Sequence, residues 1–457
     1  MDTIEKHRGP KVLWNKLQNG RQQICRLKVN GQSEITDLEK ILDIVELFYK
    51  ELYISKNVEQ PQQATDSRAK LTRHFTEDLP DISLYEIKTA IKQMKNGKEP
   101  GGYNIPVELL KAGGRPVLKY LQELFNEVLM KGISPREWRS AIVTLMFKKG
   151  DKANLANYRP ISILLHTYKL FTKVLTNRLA NRFDAAQPVE QAGFRKGFST
   201  VDHMFVVKQF IEKSVEYCQD LCVAFVDYEK AFDTVEHWSV FHALQRCQVD
   251  GRYVEVLREI YRGATVQVRL HQLTQPVEVR RGVRQGDTIS PKLFTAVLED
   301  VFKTFDWTEN GVNVHGEMLP HLRFADDIIL FARTPVEITA MLEQLYDASI
   351  IVGLKMNMDK TKIMCKDDDI TTHILVHGQH VERVAKYVYL GQITTLDGSG
   401  QELEIDRRIQ LGWAAFSKLS DVLKHKKVPL FLKRRMFEQC ILPVMTYGNL
   451  DTYEEVR

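Results

Sequence analysis

The sequence predicts an α+β fold, and three observations predict it. Segments with apolar residues at helical spacing alternate irregularly with short apolar runs of strand length at 221–227, 264–270, 322–325 and 328–332. Several of those runs are apolar at every position rather than at every second one, which predicts strands buried on both faces. The chain, at 457 residues with 44% hydrophobic and 27% charged side chains, is long enough for two or three domains and can bury a core without disulfide or metal staples.

The elements follow in order. Thr36 and Glu39 have the spacing of a capping box, and Leu38, Ile41, Leu42, Val45, Phe48 and Leu52 then recur on one helical face. Residues 1–54 are therefore expected to carry a docking helix, and the polar, weakly periodic stretch 55–80 to be a linker. Beyond Asp81 a helix through Leu84, Ile87, Ala90, Ile91 and Met94 leads through a Gly/Pro loop to a second helix ending near Leu129. Ala141 to Phe147 suits a buried strand, and helices are predicted at 166–182, 200–218, 237–248 and 252–262. The last 50 residues read as helical and basic with no stop signal of a finished domain, so a final domain cut short is expected.

Several classes are excluded. No period of 20 to 50 residues recurs, which removes solenoids and propellers. The longest apolar runs are strand-sized, far below the roughly 18 residues a membrane span requires, so no membrane partner is expected. The first residues mix acids and bases without an apolar signal core, which makes an intracellular protein the expectation, with cytoplasm and nucleus undecided. Six cysteines include no C-x-x-C pair and are expected to be reduced, mostly core thiols.

Net charge is only +5, but its distribution is uneven: residues 139–182 and 407–436 each hold nine Lys/Arg against a single acid. Two basic stretches around an acidic middle suit a protein that grips a polyanion beside a carboxylate site; solvated helix faces are the plainer reading.

The chemistry is concentrated in the middle. Leu322 to Ala325 and Ile328 to Ala332 read as a buried hairpin with Asp326-Asp327 as its turn. Adjacent carboxylates at the tip of a buried hairpin repel each other unless a cation neutralises them. The apolar run Leu221 to Val226 ends in Asp227, an acid at the end of a buried strand. Three carboxylates on strand ends suffice to hold two Mg²⁺ about 4 Å apart, the arrangement used in phosphoryl transfer. Between them, Gly282 and Gly286 flank Arg284 and Gln285 in a loop that runs to Ser290-Pro291, read as an N-cap and first helical residue. Such a loop can face a nucleotide or an ordinary helix start.

The strings FVDYEKAFDTV, GVRQGDTISPKLF, FADDIILFA, GLKMNMDKTK and YVYLG, in that order, with FKKGDKANLANYRPISI and QAGFRKGFSTVDH upstream, resemble the reverse transcriptase domain of non-LTR retrotransposons. The resemblance spans roughly residues 85 to 440. It implies a right-hand polymerase of fingers, palm and thumb, with an antiparallel palm sheet backed by helices. The fingers and palm would occupy 126–394 with an N-terminal extension at 81–125, a connector at 1–54 would precede them, and a basic thumb would fill 395–457.

The implied activity is RNA-directed DNA synthesis, with an RNA template, a DNA primer and dNTPs as partners and two Mg²⁺, replaceable by Mn²⁺, as cofactors. Asp227 and Asp326 correspond to the principal metal ligands and Asp327 to the third acid. Tyr228, Glu229, Lys230, Ala231 and Phe232 would line the triphosphate and sugar, with Phe232 excluding a ribose 2′-OH. Gln285 and Gly286 would contact the incoming nucleotide and template. Lys148 and Arg159 would hold the triphosphate, with Lys149 and Lys152 as neighbouring competitors, and Lys360 would protonate the leaving pyrophosphate. Tyr389, Leu390 and Gly391 would grip the primer end. Read from the residues alone, Phe232 is a core aromatic and Lys360 a solvated lysine.

The chain departs from the family where a Pro-Asp pair is replaced by Gly101-Gly102-Tyr103-Asn104, and nothing before residue 80 resembles the apurinic-type endonuclease such elements carry. A catalytically inactive nucleic-acid-binding remnant and a DNA-templated polymerase are the rival expectations.

Overall fold

The computed structural model describes residues 24–29, 33–57, 78–314, 316–366 and 374–448. Most of the linker expected at 55–80 lies outside the described residues.

Helix α1 (Leu38–Tyr53) starts one residue later than the capping-box reading implies: Asp37, not Thr36, is the N-cap, and its carboxylate accepts from the backbone N–H of Glu39 and Lys40. Its buried face is Ile41, Val45, Tyr49 and Tyr53. Helix α2 (Leu84–Gln93) does open with a capping box, from Ser83 and Glu86, and packs with α3 (Gly114–Lys131) and α4 (His166–Ala186). Strands β1 (Ser140–Phe147) and β2 (Tyr158–Ile163) form an antiparallel hairpin. A four-stranded sheet in the order β2-β1-β4-β5 adds β4 (Thr265–Arg269), parallel to β1, and β5 (Val277–Glu278).

The second, six-stranded sheet carries the acids. It has the order β6-β7-β3-β8-β10-β9, from β3 (Cys222–Val226), β6 (His321–Phe324), β7 (Asp327–Ala332), β8 (Lys362–Cys365), β9 (Ile374–Val376) and β10 (Gln379–Arg383). Its central strands are antiparallel, but β8 and β10 pair in parallel, so the sheet is mixed rather than purely antiparallel.

The fully apolar strands are explained by what covers them. One face of β3 and β7 (Cys222, Ala224, Val226; Ile328, Leu330, Ala332) joins the large core with α8 (Ser290–Phe302) and α9 (Pro335–Ile351). The other face (Val223, Phe225; Ile329, Phe331) packs under α5 (Thr200–Glu216) and the hairpin of β11 (Lys386–Tyr389) and β12 (Gln392–Thr395). Phe225 stacks on Tyr387 at 4.2 Å between ring centroids. Helix α10 (Gly400–Lys418), with three acids and three bases, and the basic helix α11 (Leu430–Met436) follow. Among the described residues no helix is long and apolar enough to cross a membrane. Of the six cysteines Cys222 is buried and Cys247 and Cys365 pack against the core, so the expectation of mostly core thiols holds for half of them.

Candidate active site

Strand register assembles the site. β7 pairs with β3 through Ile328 and Val226, and one step further along, Asp327 stands across from Asp227. β8 pairs with β3 through Lys362 and Phe225, and two steps back Lys360 meets Asp227 from the other side. The Lys360 Nζ lies 3.1 Å from Asp227 Oδ1. Its loop is set by Asn357, whose N–H donates to the Asp227 carbonyl at 2.8 Å and whose own carbonyl accepts from Lys360 N–H. Alternation along the strands puts Asp227 and Asp327 on the face that carries Phe225 and Ile329, beneath the β11–β12 hairpin.

The hairpin turn is Ala325-Asp326, not Asp326-Asp327. Phe324 pairs with Asp327, which is the first residue of β7, and Ala325 adopts a left-handed φ of 59°. This separates the two acids into a turn residue and a strand residue.

Electrostatics tie these acids to the β1–β2 hairpin. Burial, then the charge of Asp227, raises the Asp326 carboxyl above its ordinary range, while Lys148 and Arg159 oppose the shift. Asp327 faces the open cleft yet has protein around most of it; burial, then Asp326 and Asp227, pushes it up to about 6. Lys148 is lowered by burial and by the neighbouring Arg159 and Lys360. Both cations are set by the β1–β2 hairpin, where Arg159 pairs with Met146 and Lys148 N–H donates to the Asn157 carbonyl. Three carboxylates and three cations thus share one cleft.

The set fits divalent cations by donor chemistry: hard carboxylate oxygens, two of them paying for excess negative charge. Among the described residues no group of three or more His, Cys, Asp or Glu is arranged to hold a metal ion by itself. Mg²⁺ does not require one, since it is held by one or two carboxylates together with substrate phosphates and water.

The segment after Asp227 is placed differently from expectation. Tyr228 turns into the core, its hydroxyl 2.6 Å from Ser349 Oγ, and the Ala231 side chain is buried. Glu229 pairs with Lys355 at 3.2 Å. Lys230, at φ 47°, puts its ammonium over the Phe48 ring of α1 at 4.5 Å, with no hydrogen-bond partner. These residues follow a strand end, where alternation sends every second side chain away from the cleft. Phe232 is half-buried, stacked on Phe294 at 4.5 Å, with Phe194 edge-on at 6.1 Å.

Gln285 uses its side chain internally. Its amide donates to Asp233 Oδ2 at 2.9 Å, and its carbonyl accepts from Ser162 N–H of β2 at 2.8 Å. Gly286 follows at φ 108°, and a Cβ there would stand 2.9 Å from the Ser162 carbonyl, so this loop requires glycine. Asp233 was invisible to sequence reasoning; it is fully buried, and burial pushes its carboxyl up to about 7. Helix α8 begins at Ser290 with Ile289 as N-cap, so Ser290 is not the cap.

At the β11–β12 hairpin, Leu390 and Gly391 form a two-residue turn with both φ values positive. Tyr389 is buried against Phe225, while the Gly391 carbonyl accepts from Arg407 at 2.9 Å and from Arg408.

The family model described as "Reverse transcriptase (RNA-dependent DNA polymerase)" matches residues 147–394, more than half of the chain. The chain belongs to the reverse transcriptase family. This reverse transcriptase is 30% identical over 287 residues to a retrovirus-related Pol polyprotein from a type-1 retrotransposable element R2 of Popillia japonica, covering 61% of this chain and 39% of that one. It is 26% identical over 421 residues to a probable RNA-directed DNA polymerase from transposon BS of Drosophila melanogaster, covering 85% and 44%. Similarity to the RNA-directed DNA polymerase from mobile element jockey of the same fly is 24% over 387 residues, covering 81% and 41%. The chain therefore spans less than half the length of these relatives. An apo telomerase structure from Candida tropicalis aligns with 62% of this chain and 59% of its own, at 13% identity and a TM-score of 0.41. The retrotransposon resemblance read from the motifs is borne out by these relatives.

Proposed function

We propose that this reverse transcriptase catalyses RNA-directed DNA synthesis, joining dNTPs to the 3′-OH of a DNA primer on an RNA template. The observation that carries the reading is the register that sets Asp227 opposite Asp327, beside Asp326, with Lys148 and Arg159 across the same cleft. Asp227, Asp326 and Asp327 are the residues that would hold two Mg²⁺, or Mn²⁺ in their place. When bound, these ions would supply a lowered pKa at the primer hydroxyl and charge neutralisation at the phosphates.

The chain's own groups do the rest. Lys148 and Arg159 hold the triphosphate, Arg159 through the paired donors of its guanidinium. The bond formed is primer O3′ to the α-phosphorus; the bond broken releases pyrophosphate. Lys360 stands on Asp227 without substrate, and is placed to turn to the leaving pyrophosphate and give it a proton. Phe232, fixed on Phe294, presents a flat wall against a 2′-OH, and the Gln285-Gly286 backbone supports the base pair from the fingers side. The backbone of the Leu390-Gly391 turn, not the Tyr389 ring, meets the primer end.

The test is primer extension by the purified chain with Mg²⁺ and dNTPs on matched RNA and DNA templates. Extension on RNA is expected, and Asp326→Asn should abolish it while the fold persists. Primer–template binding with no extension under any metal would instead mark a binding protein without turnover.

A further inference from the structure

The segment Glu190 to Phe194 lies apart from the three acids and the β1–β2 hairpin in the chain, yet it pairs with β6 and reaches the Ala325-Asp326 turn. Glu190 and Ala192 bracket Arg323 of β6, the Glu190 carbonyl accepting from Arg323 N–H at 2.7 Å and Ala192 N–H donating to the Arg323 carbonyl at 3.0 Å. The segment is thereby a short parallel extension of the sheet beyond its edge strand. Gln191, fully buried, reaches from it to the turn: its Oε1 accepts from Ala325 N–H at 3.0 Å and from Gly193 N–H at 2.8 Å. Its Nε2 lies 3.5 Å from the Ala325 carbonyl.

Ala325 is the residue under constraint, an alanine at φ 59° and almost wholly buried, immediately before Asp326. Nothing intrinsic to alanine favours that conformation, so its surroundings must impose it. Gly193 contributes by close approach: a Cβ there would fall 2.1 Å from the Ala325 nitrogen and 2.7 Å from its Cα, both backbone atoms that cannot step aside cheaply.

We propose that Gln191, seated on the Gly193 backbone, is a positioning residue that holds the Ala325-Asp326 turn and so sets where Asp326 and Asp327 present their carboxylates. The proposal rests on the polymerase reading above but goes beyond its residue set. A displacement of the turn by about 1 Å costs roughly 100-fold in a reaction that depends on placement.

The test compares the full chain with Gln191→Met, which keeps length and volume without the amide, and Gln191→Asn, which keeps the amide one methylene short. With active sites titrated, both should lower kcat roughly 10- to 100-fold with KM for dNTP and primer–template affinity within about twofold of the parent. Mn²⁺ binding to the substrate-free protein, followed by its paramagnetic resonance, should weaken several-fold in both, and this reads the turn even if the parent does not polymerise. Thermal melting shows which variants are folded; should Gln191→Met not fold, Gln191→Asn carries the comparison. Parent-like kcat and Mn²⁺ affinity in a folded variant overturns the proposal. So does a loss shared equally by kcat, substrate binding and the folded fraction, which is the mark of a merely structural glutamine.

Discussion

Asp327 is the residue whose chemistry is most out of balance. Its carboxyl is pushed up to about 6 by burial and by its two acidic neighbours. Because the folded value lies above the ordinary one, the ionised side chain costs stability, and the cost is fully present only above about pH 6. Without divalent metal, Asp327→Asn should therefore melt higher than the parent at pH 8, and the gap should narrow as pH falls through about 6, as read by thermal melts across that range. Activity should move the opposite way: protonation removes a cation ligand, so extension should decline on acidification, with a midpoint below that of the metal-free carboxyl and falling further as Mg²⁺ concentration rises. A side chain that weakens the free protein and is needed for the reaction is the trade-off expected of an active site. Lys230 and Tyr228 teach the reverse lesson. Both sit in the motif after Asp227, but backbone alternation and a left-handed turn send one under Phe48 and the other to Ser349.

Helix α1 is the element whose role changes most when its contacts are seen. The Arg281 guanidinium donates to the Leu52 carbonyl at 2.8 Å, and Arg280 N–H donates to the Tyr53 carbonyl at 3.0 Å, satisfying the end of the helix. Glu236, fully buried, accepts from Ser55 Oγ at 2.7 Å and from Lys56 N–H at 3.0 Å. Phe48 covers Lys230, three residues past Asp227, so this helix forms the floor of the segment behind the first acid. Arg281→Met should leave the partly buried Leu52 carbonyl without its side-chain donor and cost about 1 kcal/mol of stability, read by denaturant unfolding. Proteolysis after residue 54 should accelerate in the same variant, because the helix end keeps only the Arg280 backbone bond to the loop before Gln285.

At the scale of the whole molecule, charge separates from the core. The basic stretch at 139–182 runs through β1, β2 and α4, and the one at 407–436 through α10 and α11, on either side of the sheet that holds the acids. If both grip one nucleic acid, the logarithm of primer–template affinity should fall linearly with the logarithm of salt concentration, by roughly 0.7–0.9 per phosphate contact. Neutralising two lysines of the 424–427 cluster should reduce that slope by about two contacts' worth, measured by fluorescence anisotropy over a salt series. A slope unchanged by those substitutions would remove the 424–427 cluster, between α10 and α11, from the grip.

What the sequence by itself determined is the α+β class, the buried central strands and the three acids. Apolar runs such as Cys222 to Val226 and Ile328 to Ala332 have few alternatives to a strand covered on both faces, and an acid that ends such a run has few places to go. Only the tertiary structure decided which neighbours of those acids face the cleft. The turn lies at Ala325-Asp326 because of strand register, Tyr389 faces Phe225 because of a hairpin fold, and Gln285 is spent on the buried Asp233. The physical reason is that periodicity records burial but not direction. Whether a polar side chain after a strand meets substrate or another segment depends on what packs against it from far along the chain, as Phe48 does at Lys230 and Gln191 at Ala325.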